Sequence, residues 1–328
     1  MRKVTLAAVQ GAGIIPHKYH DCLAEDFSYN PAEVANDHCL PHLEHQLKLL
    51  ESCAGEGIVL ALSNEDICNV SNFLLTEDKA FYSELVKISC QMAEDRLSAL
   101  AVKAKMYIAA CYGKHIEGKN YNLVSIFAPN GQIAGEYRKT HIPPNEMWHF
   151  ADGESLNVIE LDFAKVGVSI CYDMMFPEAV SVPALAGAEI ILHPTAGYGW
   201  YDSIGEVTLR TRANDNSVYI LTAKNYVTNG AGKSSVTDYW GHVLADAGFY
   251  RDVTVSETID LDVPKTQSEW FYQSQMSGYA EIRKRYVRER RPELYDLLTT
   301  KAARLPVPDK AKREILRDRI KNGECRWS

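Results

Sequence analysis

The stretch Val166–Glu178 reads Val-Gly-Val-Ser-Ile-Cys-Tyr-Asp-Met-Met-Phe-Pro-Glu. An apolar run carries the chain to Cys171, and a polar turn with a proline and a glutamate follows at once. A cysteine there can be a small hydrophobe that packs well. It can also be a nucleophile, held at a strand end and facing the N–H groups of the next turn. A thiol nucleophile acts as the thiolate and needs a base or a cation beside it. Two other apolar runs end on groups of that kind. Glu65 follows Ile58–Ser63, and Lys139 closes a run before Thr140-His141-Ile142-Pro143-Pro144. Read singly, Glu65 is a loop carboxylate and Lys139 a solvated lysine. Read together, an acid, a lysine and a thiol each close an apolar run.

The elements that must position them follow from periodicity. Short β-branched runs recur at Val4–Val9, Ile58–Leu62, Tyr107–Tyr112, Leu123–Phe127, Val166–Cys171, Glu189–Leu192, Val218–Ala223 and Val253–Ile259. Between them lie segments of helical character. Leu43, Leu47 and Leu50 share one helix face, with Pro41 at a first helical position. Asp78–Lys105 lacks both Gly and Pro and reads as a long helix. Pro177–Ala186 and Ser203–Asn216 read as shorter ones. Asn130-Gly131 between two runs predicts a hairpin, with the positive φ values of a type I′ turn. Strands alternating with helices predict a layered α/β architecture, in which ligands bind beyond strand carboxyl ends. No internal repeat or low-complexity linker breaks the chain, so one domain is expected.

The ordered set Glu65, Lys139, Cys171 resembles the Glu-Lys-Cys triad of the nitrilase, or carbon–nitrogen hydrolase, superfamily. Other blocks agree with it: Val4–Gln10 as an opening strand, Tyr137-Arg138-Lys139-Thr140-His141 as the lysine motif, and Cys171–Glu178 as the nucleophile elbow. Arg210–Asn216 and Gly232–Asp238 are similar to later family blocks. The resemblance implies a four-layer α-β-β-α sandwich, a hydrolase domain over residues 1–300 and a C-terminal extension over 301–328 that contacts another subunit. It implies Glu65 as general base, Lys139 as stabiliser of the tetrahedral oxyanion with the backbone N–H of Tyr172, and Cys171 as the nucleophile that forms a thioester. It implies a second glutamate after the lysine motif, for which Glu146 is the nearest match. No cofactor and no metal is implied.

Within the superfamily, the residues after the cysteine separate branches. Nitrilases proper carry Trp-Glu there; Tyr172-Asp173 is similar to the amidase side. Relatives acting on carboxylate-bearing or N-carbamoyl amino acids often place arginines next, because guanidinium binds carboxylate in two-pronged fashion. This chain has Met174-Met175. Together with Thr195, Ala196, Tyr198 and Trp200, they suggest a pocket for a small neutral amide. An N-carbamoyl hydrolase (with an arginine such as Arg210 reaching the pocket), a nitrilase, and a catalytically silent scaffold stand as alternatives.

The net charge of −8 argues against nucleic acid or an anionic membrane as partner, and no apolar run reaches a membrane span. Eight scattered cysteines without framework spacing, and no signal-peptide pattern, suggest reduced thiols in the cytoplasm. Five of the ten histidines lie in residues 17–45: His17, His20, His38, His42 and His45. Their spacing, with Cys22 and Cys39, fits no standard zinc motif. The basic C-terminal stretch is interrupted by acids, as on a solvated helix face. With the family resemblance it suggests a homodimer or higher homo-oligomer.

Overall fold

The computed structural model describes residues 2–13, 28–55, 57–196, 202–226, 232–262 and 290–300, with Ile315 and Asp318. Twelve strands form two six-stranded sheets among these residues. The first sheet is ordered β12-β1-β2-β3-β4-β5, from β1 (Lys3–Gln10), β2 (Ile58–Leu62), β3 (Tyr107–Ile116), β4 (Lys119–Phe127), β5 (Ile133–Arg138) and β12 (Val253–Asp260). The second is ordered β11-β10-β9-β8-β7-β6, from β6 (Val158–Glu160), β7 (Lys165–Val168), β8 (Ile190–Thr195), β9 (Tyr219–Lys224), β10 (Ser235–Thr237) and β11 (Val243–Asp246).

Val4, Leu6 and Ala8 of β1 pack with Val166, Val168 and Leu192, so one apolar layer lies between the sheets. The alternate residues face outward. Ala7 and Val9 join Leu43, Leu50, Leu85 and Leu97 under two helices, α2 (Leu40–Ser52) and α3 (Lys79–Ala104). On the other side Ile191 and Ile220 pack against Val180, Leu209 and Ala213 of α4 (Glu178–Leu185) and α5 (Asp202–Asn216). The result is the α-β-β-α sandwich. Strands β8 and β9 are buried at every position, because each is covered by a sheet on one face and helices on the other.

No sequence repeat was visible, yet the two sheets repeat one pairing pattern. From β12 to β5 the pairs run antiparallel, parallel, parallel, antiparallel, antiparallel. From β6 to β11 they run the same way. In this alignment β1 matches β7, and β2 matches β8 as the middle of three parallel strands.

The long helix begins and ends as composition predicts. The Asp78 carboxylate accepts the Phe81 N–H at 2.9 Å, and Lys105 ends the helix in the left-handed region at φ 54°. Two local expectations are corrected. The helical run containing Leu43 starts earlier, at α1 (Pro31–Val34), with Asn30 accepting the Ala32 N–H. Pro41 has no N–H to give, and the stretch before it, Ala35–Cys39, widens to a π-helix with the Leu40 N–H on the Ala35 carbonyl. The Asn130-Gly131 hairpin forms, but not through a type I′ turn. The Gly131 N–H bonds the Ala128 carbonyl at 2.8 Å, which puts Pro129 and Asn130 at the centre, and only Gly131 has positive φ, 83°. Pro129 presets the first central position, and the register shifts opposite Ile126 and Phe127, where β5 carries one extra residue, Ala134.

Among the described residues no helix is long and apolar enough to cross a membrane. Residues 301–328 lie outside the described residues except for Ile315 and Asp318, as do His17, His20 and Cys22.

Candidate active site

Glu65 stands three residues past β2. The chain on either side of it is pinned to β3: the Ser63 N–H bonds the Ala109 carbonyl and the Ile67 N–H bonds the Cys111 carbonyl, at 2.9 and 3.0 Å. Lys139 follows β5 directly. Its N–H bonds the Asn122 carbonyl at 2.8 Å, and its own carbonyl accepts the Gly153 N–H at 2.7 Å. Glycine is required at 153, because a Cβ there would come within 2.2 Å of the Arg138 carbonyl oxygen. Both side chains are buried, and they meet: Lys139 Nζ lies 2.9 Å from Glu65 Oε1. Glu146 reaches the same ammonium with both oxygens, at 3.0 and 2.9 Å. One cation therefore sits between two carboxylates.

Cys171 opens the 3₁₀ turn Cys171–Met175; the strand expected to run to Cys171 ends at Val168, so Ser169 and Ile170 lie between strand and thiol. Its φ is 43°, in the left-handed region that a cysteine rarely adopts, a conformation costing of order 1–3 kcal/mol. The thiol is partly buried, feels the charges of both Glu65 and Lys139, and hydrogen-bonds Thr195. The N–H of Tyr172 comes next in the first turn, where N–H groups have no intrahelical acceptor.

These contacts set the protons. Burial, reinforced by the Glu65 charge, pushes the Cys171 thiol up to about 12, although Lys139 opposes this. At neutral pH it is a thiol that needs a base. Burial alone would raise the Glu65 carboxyl, but Lys139, the Ala196 N–H at 2.8 Å and the Asn122 amide at 2.9 Å hold it below its usual range. It is an anion ready to accept. Burial would strip the Lys139 proton, but the charges of Glu146 and Glu65 outweigh it and keep the ammonium well above the lysine range. Glu146 is raised to about 6, first by burial and then by the Glu65 charge, against the pull of Lys139.

The residues predicted from sequence therefore divide. Glu65, Lys139, Glu146 and Cys171 come together. Thr195 touches the thiol, and Ala196 orients the Glu65 carboxylate through its backbone N–H. Met174 is corrected: it is fully buried in the core under α4 and α5, packed with Val180, Leu209 and Ile220. The turn at Cys171 directs the third following side chain into the sheet–helix layer, so it cannot serve as a pocket wall. Met175 is half exposed beside it. Tyr198 and Trp200 lie outside the described residues. Arg210 bonds the Gly241 carbonyl at 2.7 Å and pairs with Glu206, a bracing role. The histidines of α2 and the π stretch each have separate surroundings: His38 faces the Asn69 carbonyl and the Phe73 edge, His42 is buried, and His45 pairs with Asp252. Among the described residues no group of three or more His, Cys, Asp or Glu could hold a metal ion.

Asn122 went unnoticed in the sequence. Its amide donates to Glu65, its side-chain oxygen accepts the Cys111 thiol at 3.3 Å, and its backbone holds Lys139. The available signal was a polar residue inside β4, where every following position is buried. A cavity of about 50 Å³ opens beside the carboxylates, lined in part by Glu65, Asn122, Glu146, Val70, Phe150 and Ala196.

The family model described as carbon-nitrogen hydrolase matches residues 82–266. A Xenopus tropicalis protein named omega-amidase NIT2 is 30% identical over 276 residues, covering 78% of this chain and 91% of its own. The chain belongs to the carbon-nitrogen hydrolase family. It is an enzyme of the class that hydrolyses non-peptide C–N bonds. A Francisella tularensis protein named citrullinase is 32% identical over 222 residues, 62% of this chain and 73% of its own. A carbon-nitrogen hydrolase of Helicobacter pylori, 22% identical, superposes with a TM-score of 0.70 over 92% of this chain and 99% of its own, and so shares the fold.

Proposed function

We propose that this carbon-nitrogen hydrolase cleaves a small neutral amide through a thioester on Cys171. The observation that carries the reading is the buried Lys139 ammonium, 2.9 Å from Glu65 and within the field of a protonated thiol. Glu65 takes the thiol proton as the sulfur attacks the amide carbon. The oxyanion that forms faces the Lys139 ammonium and the Tyr172 N–H. Collapse breaks the C–N bond, the proton on Glu65 passes to the departing nitrogen, and ammonia or an amine leaves. Glu65 then deprotonates a water that attacks the thioester; the acid departs and the thiol regains its proton. Glu146 shares Lys139 with Glu65 and holds the ammonium while Glu65 changes charge.

The neutral preference rests on charge rather than on the methionines. Among the described residues, the cavity beside Glu65, whose lining does not include Cys171, carries the carboxylates of Glu65, Asp66 and Glu146 and no arginine, and Lys139 is already held between Glu65 and Glu146. A substrate carboxylate would enter without a partner, and leaving even an uncharged polar group unpaired costs roughly 2–7 kcal/mol. A ureido group is also neutral, and the relative named citrullinase favours hydrolysis of an N-carbamoyl group as the second reading. Ammonia release from 4-oxopentanamide, from its acidic counterpart succinamate and from N-carbamoylputrescine separates these. The account requires activity that is lost in Cys171→Ala and a higher kcat/KM on the neutral ketone amide than on succinamate. A preference for succinamate would mean that a cation lines the pocket.

We also propose that the chain assembles as a homo-oligomer. Val182 and Leu185 of α4, Val207 of α5 and Leu294, Leu297 and Leu298 are exposed apolar residues, and a cavity of about 600 Å³ lies between α4 and the stretch 290–299. Such a surface is expected to be covered by another subunit.

A further inference from the structure

The site leaves one fully buried carboxylate without a part in the chemistry. Asp173 lies two residues after Cys171, and its side chain is wholly enclosed. It accepts hydrogen bonds from two directions. From the nucleophile's side the Ile170 N–H reaches Oδ2 at 2.9 Å. From the lysine's side the Tyr137 hydroxyl reaches Oδ2 at 2.8 Å, and the Thr140 hydroxyl and the His141 N–H reach Oδ1 at 3.1 and 2.8 Å. The His141 ring nitrogen Nδ1 also lies 2.8 Å from Oδ1. Ile170 is the residue immediately before Cys171. Tyr137, Thr140 and His141 bracket Lys139.

We infer that Asp173 is a positioning residue, whose carboxylate fixes the Cys171 elbow against the Lys139 loop and so sets the sulfur against the ammonium. This rests on the thioester reading above. The two segments come from different sheets, β5 of one and β7 of the other. This carboxylate joins residues next to the nucleophile with residues next to the cation. The geometry needs an acceptor-only group. Five donors converge on two oxygens, and an ionised carboxylate offers about four lone-pair sites and no hydrogen. An amide in its place would turn an N–H₂ group toward groups that are themselves donors. The elbow it holds is strained, since Cys171 has φ 43° in a position that most cysteines avoid. The Ile170–Asp173 bond closes the loop around that residue. The charge is engaged by its donors rather than by the thiol, so the effect on catalysis is one of distance and angle. A displacement of about 1 Å in a reacting group can cost about 10²-fold.

The test uses the full chain with butyramide as substrate. Wild type must first release ammonia in a manner that Cys171→Ala abolishes; if it does not, the thioester reading fails and not this inference. Given that activity, Asp173→Asn should lower kcat about 10²-fold with KM within about three-fold of wild type. In a Lys139→Ala background the same change should cost less than about three-fold, because the relation it maintains has already gone. A purely structural role would lower both backgrounds by the same factor. If Asp173→Asn does not fold, as judged by circular dichroism, Tyr137→Phe combined with Thr140→Val removes two donors and leaves the carboxylate in place. That pair should lower kcat at least ten-fold with little change in KM. Wild-type kcat in the folded Asp173→Asn protein, equal costs in the two backgrounds, or wild-type kcat in the donor-deleted pair would overturn the inference.

Discussion

Removing the Lys139 ammonium leaves Glu65 and Glu146 buried and facing each other without a cation. Lys139→Ala should therefore lower kcat by about 10²–10³, the cost of an oxyanion donor, or more. Breaking a buried pair also destabilises by about 3–5 kcal/mol, so a denaturant melt should move with the activity. A variant with wild-type kcat would contradict the role given to the lysine. The acid limb of the rate profile belongs to this scale too. Glu146 takes up its proton near pH 6 in the folded chain, above its ordinary value of 4.5. As pH falls through 6, Lys139 loses one of its two anions, and kcat/KM should fall with a midpoint near 6. In Glu146→Gln that midpoint should vanish, leaving only a lower one from Glu65. The stability signs are opposite. Because the folded value of Glu146 is raised, its protonation between about pH 6 and 4.5 favours the fold. Glu65 is depressed, so its contribution is present above 4.5 and is lost as pH falls further. A profile with no inflection near 6 would contradict the assignment.

At the scale of elements, the site depends on how three segments leave their strands. Gly153 lets the chain after β5 close on Lys139, and Gly153→Ala should push the Arg138 carbonyl away, costing about 1–3 kcal/mol of stability and most of the activity. Thermal melts and ammonia release together check this; a fully active, equally stable variant would show that the turn has room. Glu65, Lys139 and Cys171 could be singled out because each follows an apolar run and their order resembles that of the family blocks. That pattern survives in the sequence whatever the tertiary packing. Met174 was not legible, because the direction of a side chain in a 3₁₀ turn depends on the unusual φ of Cys171, which residue type does not encode. Asn122 was hidden for the converse reason. A polar residue in a strand reads as an outward position, and only pairing with β5 and closeness to Glu65 turn it into part of the site. In the hairpin the signal was present but outweighed: Pro129 fixes the turn before Asn130-Gly131 can.

At the scale of the whole molecule, two sheets with one pairing pattern bring strand ends from separate halves to one place. Glu65 and Lys139 follow strands of the first sheet, and Cys171 and Thr195 belong to the second, so these four residues meet only when the sandwich closes. The exposed apolar side chains of α4 and α5 make a further expectation at this scale. Sedimentation should show a dimer or larger species, and Leu185→Lys with Val182→Glu should shift it toward monomer; a monomeric wild type would remove the proposed assembly. The central claim is that Cys171 carries the acyl group. Intact-protein and peptide mass spectrometry, after rapid acid quench of the chain turning over 4-oxopentanamide, reads it directly. The account predicts an added mass equal to the acyl group, confined to the peptide containing Cys171 and absent in Cys171→Ala. Ammonia release that continues in Cys171→Ala, or an acyl group found on another residue, would contradict it.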